Sequence, residues 1–60
     1  MTYEITWADQ LTADKYVFTI DSLNLSQAIC QTTNILINSY NVTPDKLNTF
    51  ILTHKSIANA

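Results

Sequence analysis

Residues 2–8 read Thr-Tyr-Glu-Ile-Thr-Trp-Ala, with Tyr3, Ile5 and Trp7 alternating against Thr2, Glu4 and Thr6. A period of two, built from aromatic and β-branched residues, predicts a half-buried strand. Residues 15–21, Lys-Tyr-Val-Phe-Thr-Ile-Asp, repeat the pattern, with Tyr16, Phe18 and Ile20 on one face and Val17 and Thr19 on the other. The polar stretch Asp9–Asp14 between them predicts a loop. If Ala8 faces Lys15, then Trp7 faces Tyr16, Ile5 faces Phe18 and Tyr3 faces Ile20. Both apolar rows then share one face, whereas a slip of one residue would put one row in water.

After Asp21 the period changes. Asn24 can cap a helix, and Gln27 three residues on completes an Asn-x-x-Gln box. Leu25, Ala28, Ile29, Thr32, Leu36 and Tyr40 follow helical spacing and predict a helix over 25–40. Asn41 is placed to end it in the left-handed conformation. Thr43-Pro44-Asp45 is a helix opening of hydroxyl cap, proline and first-turn acid. The following Asn48–Thr53 is β-rich, however. A single turn over 44–47 and then a strand over 48–55 fits best; a C-terminal helix, giving ββαα, is the alternative. Residues 56–60 are expected to fray.

The fold these elements predict is α+β: a three-stranded antiparallel sheet with one helix packed on one face, in the order ββαβ. The expected core is Ile5, Trp7, Phe18, Ile20, Ile29, Leu36 and one of Phe50 or Ile51.

Length then sharpens the problem. A single domain of 60 residues buries only about 60% of the surface its unfolded chain exposes, which makes its stability marginal. The usual reinforcements are missing. Cys30 has no second cysteine to pair with, and one cysteine with one histidine cannot build a four-ligand zinc site. Oligomerisation, as a homodimer or with another chain, is the remaining route to extra burial.

Charge narrows the partners. The only cations are Lys15, Lys46 and Lys55, there is no arginine, and the net charge is −2. That balance offers no footprint for a phosphate backbone, so no nucleic-acid partner is expected. No apolar run approaches the roughly 18 residues of a membrane span. Glu4 and Asp9, with no early lysine or arginine, do not suit a signal peptide. A lone thiol fits a reducing cytoplasm, the expected location. With no glycine in the chain, no phosphate-cradling loop can form, and asparagine is expected wherever a positive φ is needed.

Candidate chemistry is sparse. Cys30 and His54 are the only residues that could pair as nucleophile and base. Cys30 lies mid-helix with an apolar flank, which predicts a buried packing cysteine with an inert thiol. His54 stands beside Lys55, Thr53 and Ser56 and reads as a surface or strand-end histidine. Asp9, Asp14 and Asp21 lack the spacing, the glycine and the terminal glutamate of a calcium loop. Asp9 and Asp14 instead suit turn chemistry. Tyr3, Trp7 and Tyr16 are read as core, or as an interface anchor, rather than a base-stacking platform. No catalytic residue, cofactor or metal is therefore expected.

The junction Asp21-Ser22, the pair Ala28-Ile29 and the turn Thr43-Pro44-Asp45-Lys46-Leu47 set a layout that resembles small ββαβ proteins of unknown function from bacteria and their phages. It is also similar, more distantly, to the antitoxin half of some toxin–antitoxin pairs. The resemblance implies fold and origin and transfers no functional residue. The function expected is a non-enzymatic interaction or self-associating module, with an antitoxin-like or regulatory binding protein as the alternative. Val17 on the outer sheet face, and Cys30 and Ile37 on the helix flank, are the candidate interface residues. An open edge on the third strand is a further docking feature.

Overall fold

The computed structural model describes residues 1–57 and shows the expected α+β architecture in the order ββαβ. The elements are β1 (Thr2–Asp9), β2 (Lys15–Asp21), α1 (Leu25–Ser39), the single turn α2 (Pro44–Leu47) and β3 (Phe50–Ile57). The strands form one antiparallel sheet in the order β2-β1-β3. Both β2 and β3 are therefore edges, and they run parallel to each other. Parallel strands need a long connection, and α1 supplies it by crossing β1.

The hairpin has the expected register, with Trp7 opposite Tyr16, Ile5 opposite Phe18 and Tyr3 opposite Ile20. β1 alternates cleanly between half-buried and buried positions, because strands flank it on both sides. β2 carries the same kinds of residue, but its inward row is only half-buried and its outward row exposed. The difference follows from position: an edge strand has a neighbour on one side only.

The connection from β1 to β2 is tied by Asp9. Its Oδ1 accepts the Leu11 N–H at 2.8 Å, the expected turn chemistry of aspartate. Ala13 N–H donates to Asp9 O at 3.1 Å, and Asp9 N–H donates to Asp14 O at 2.8 Å. This loop corrects one expectation: Ala13, and not an asparagine, takes the left-handed conformation there, at φ 63.

At the start of α1, Asn24 Oδ1 accepts the Gln27 N–H at 2.8 Å. Gln27 Oε1 in turn accepts from the Ser22 hydroxyl at 2.9 Å and the Leu23 N–H at 3.3 Å. The box thus reaches one residue further back than the Asn-x-x-Gln spacing implies. The helix ends at Ser39 with Tyr40 as its cap. Asn41 turns left-handed at φ 57, as expected of the residue best suited to that conformation after glycine. The turn lets the buried Val42 donate its N–H to Leu36 O at 3.0 Å.

Thr43 Oγ1 caps α2 by accepting the Lys46 N–H at 3.3 Å. The following strand starts at Phe50 rather than residue 48. Asn48 and Thr49 extend the turn instead, donating their N–H groups to Asp45 O and Lys46 O. At the other end, Ser56 and Ile57 do not fray: they pair with Tyr3 and Thr2. Residues 58–60 of the expected fraying tail lie outside the described residues.

The core lies between the inner sheet face and α1. Tyr3, Ile5, Trp7, Ala28, Leu36, Val42 and Phe50 are its buried apolar residues. Phe50 is buried and Ile51 half exposed, because opposite Asp9 the inward position falls to Phe50 and Ile51 pairs with the outward Ala8. Phe18, Ile20 and Ile29, expected in the core, pack against its border and stay half-buried. The first two lie on an edge strand, and Ile29 lies at the border of the Ala28–Thr32–Leu36 line, next to Leu36 around the helix. Thr32 is fully buried, and the Trp7 Nε1–H donates to its Oγ1 at 2.9 Å.

Candidate interaction surface

Of the three candidate interface residues, Val17 lies on the outer sheet face, whereas Cys30 and Ile37 lie on α1, which packs on the opposite, inner face. Val17 is 54% exposed on the outer face of β2. The side of α1 above β2 is identified by Tyr40, whose ring lies 5.1 Å from that of Tyr16 and 6.3 Å from that of Phe18. At 100° per residue, the helix surface continues from Tyr40 through Thr33 to Ile37 and then Cys30. Ile37 is half-buried and Cys30 is exposed. That exposure corrects the reading of Cys30 as a buried packing cysteine: it sits most of a half-turn away from the buried line Ala28, Thr32 and Leu36.

Three features missing from the sequence reading complete this surface. Tyr40 is 52% exposed although its ring packs on two aromatic neighbours. The row Tyr16, Phe18 and Ile20 is half-buried on an edge, so its outer flank remains open. Third, the backbone of β2 has a definite phase. Asp9 N–H bonds to Asp14 O, and Ser22 N–H bonds to Met1 O. With the pairing of β1 and β2, these bonds turn Tyr16, Phe18 and Ile20 toward β1. Lys15, Val17, Thr19 and Asp21 therefore point their N–H and C=O groups outward from the sheet. Alternation in the sequence shows which side chains share a face, but not which strand becomes an edge.

The remaining candidates do not converge. His54 is exposed in the middle of β3, the strand on which α1 rests least, and Cys30 is exposed on α1. Among the described residues, no group of three or more His, Cys, Asp or Glu side chains is placed to hold a metal ion. A shallow open depression of about 250 Å³ lies on the outer sheet face over β1 and β3, lined by Glu4, Thr6, Thr53, His54 and Lys55. Its charges are already matched, since Lys55 Nζ lies 3.6 Å from Glu4 Oε1. No helix among the described residues is long and apolar enough to cross a membrane.

One carboxylate is electrostatically distinctive. Asp9 is 4% exposed. The Leu11 N–H holds its carboxyl below the ordinary value of 3.8, against the opposing effect of burial, with help from the Thr49 and Thr12 hydroxyls and the Lys46 charge. Oδ1 accepts from Thr49 Oγ1 at 3.1 Å, forty residues away, while Oδ2 is buried without a protein partner. Gln10 N–H also bonds Thr49 O at 3.1 Å. Asp9 thus ties the first loop to the start of β3, and its role is structural.

No protein-family model, no curated protein and no solved structure matches this chain. The function must therefore be argued from the surface itself.

Proposed function

We propose that this chain is a small non-enzymatic protein-interaction module whose working surface is the β2 edge together with the adjoining flank of α1. The observation that carries this reading is an apolar row, Tyr16, Phe18 and Ile20, left half-buried on a strand whose outer backbone groups have no partner among the described residues. An exposed strand edge is a template for another strand, through main-chain hydrogen bonds. Tyr40 beside it is a large amphipathic anchor of the type that dominates interface energetics.

Sedimentation tests the reading, with the chain alone over a concentration series and then in extract of the cells that express it. A mass above the 6.8 kDa of the single chain, lost when Val17→Lys places a charge in the middle of the edge, supports it. A single-chain mass in both settings contradicts it.

A further inference from the structure

We infer that the β2 edge pairs with the β2 edge of a second copy of this chain, about a two-fold axis that passes beside Phe18. The inference rests on the interaction-module reading above and names its partner.

The argument begins with the sequence of β2 read against itself. Laid antiparallel, Lys15 faces Asp21 of the second copy, Tyr16 faces Ile20, Val17 faces Thr19 and Phe18 faces Phe18. Opposite charges meet at both ends of the ladder. Aromatic and β-branched pairs meet on the inner face, the combinations that stabilise cross-strand contacts. The backbone phase agrees with this register. Lys15, Val17, Thr19 and Asp21 are the residues with outward N–H and C=O groups, and the register pairs only these with one another. Phe18 then falls at a non-hydrogen-bonded pair, where opposed side chains approach more closely.

The second layer fits as well. α1 rests on β1 and β2. With strands about 4.8 Å apart, a helix centred between β1 and β2 lies about 5 Å from the two-fold axis. The two helix axes are then about 10 Å apart, within the separation of packed helices. Ile37 and Tyr40 lie on the flank that turns toward the second copy. A seven-residue edge runs about 24 Å at 3.4 Å per residue. The contact takes in this strip and the helix flank above it, so both layers contribute to the buried area.

β3 is the other edge, and it is defended. Lys55 and His54 stand in the middle of it, and a mid-edge lysine is a common guard against pairing. β2 has its charges only at its ends, and they are of opposite sign. It contains no proline.

Charge exchange tests the inference. Both side chains are exposed on the outer face, Asp21 by 81%. Lys15→Asp alone turns two attractive contacts into two repulsive ones. Asp21→Lys does the same and in addition removes the 3.4 Å pair of Asp21 with the Met1 ammonium of its own chain, so Lys15→Asp is the cleaner single variant. Each is expected to weaken dimerisation about tenfold, the effect of two reversed cross-strand pairs. The double variant is expected to restore wild-type dimerisation within about twofold, while circular dichroism confirms the fold of all three. Dimerisation that ignores both single changes, or that the double change fails to restore, overturns the β2 pairing but leaves an interaction module acting through another surface. A wild-type chain that stays monomeric overturns self-pairing, and complex formation in extract then decides separately whether the broader reading stands.

Discussion

Trp7 on the central strand donates its indole N–H to the hydroxyl of Thr32 on the helix, at 2.9 Å and across twenty-five residues. The Thr32 hydroxyl in turn donates a hydrogen bond to Ile29 O at 2.8 Å. The two bonds satisfy a buried donor and a buried hydroxyl, and they fix the height of α1 over the sheet. Thr32→Val keeps the shape and strands the Trp7 N–H. It is expected to cost about 1–3 kcal/mol, the penalty for an unpaired buried donor. Thr32→Ser, which keeps the hydroxyl, is expected to cost less. Urea unfolding followed by Trp7 fluorescence separates the two. A Thr32→Val variant as stable as the wild type would show that the hydrogen bond does not matter there.

Asp9 makes stability depend on acid. Its carboxyl titrates below 3.8 in the folded protein, chiefly because it accepts the Leu11 N–H. A group whose pKa is lowered by folding stabilises the folded state fully above its unfolded value, and the contribution disappears as pH falls through the lower, folded value. The melting temperature is therefore expected to fall below about pH 4, the ordinary carboxylate range. Asp9→Asn should flatten that fall and lower the melting temperature at neutral pH. An unchanged acid limb in the variant would contradict this assignment.

Two positive φ angles give opposite expectations. Ala13 sits at φ 63 and Asn41 at φ 57. A residue with a Cβ pays about 1–2 kcal/mol in this region, asparagine less, and glycine almost nothing. Ala13→Gly is expected to stabilise the protein by about 1 kcal/mol, while Asn41→Ala destabilises it by about the same amount. Thermal melts of both variants check the pair. A destabilised Ala13→Gly would mean that loop entropy outweighs the relieved strain.

Cys30 is exposed, so in a monomeric solution a thiol reagent should label it at the rate of an ordinary surface cysteine. It lies most of a half-turn from the line that faces the sheet, so labelling is expected to stay fast whether or not a dimer forms. Slow labelling at every concentration would contradict its exposure.

Most of the architecture was legible because local rules agree. The hairpin register follows from two apolar rows that must share one face, Asn24 and Thr43 cap their helices by accepting backbone N–H groups on their side-chain oxygens, and Asn41 takes the left-handed position. What was not legible depends on distant partners. Nothing near Thr32 announces that Trp7 will need its hydroxyl, and nothing near Asp9 announces Thr49. The start of β3 shifted because Thr49 Oγ1 and N–H both bond back to Lys46 O, continuing the turn through two β-prone positions. Cys30 was misplaced because apolar character on a helix with a broad nonpolar surface does not fix which residue faces inward. Which strand becomes an edge, and that α1 lies on β1 and β2, likewise depends on the third strand pairing with β1 and not β2.

Backbone amide exchange of β2 as a function of protein concentration tests the self-pairing most directly. The N–H groups of Val17 and Thr19 point away from β1 and have no partner among the described residues, so they should exchange quickly at low concentration. As the dimer forms they should become protected together, while the outward amides of Leu52, His54 and Ser56 on β3 stay fast. A dimer that leaves Val17 and Thr19 unprotected, or that protects the β3 amides instead, would contradict the account.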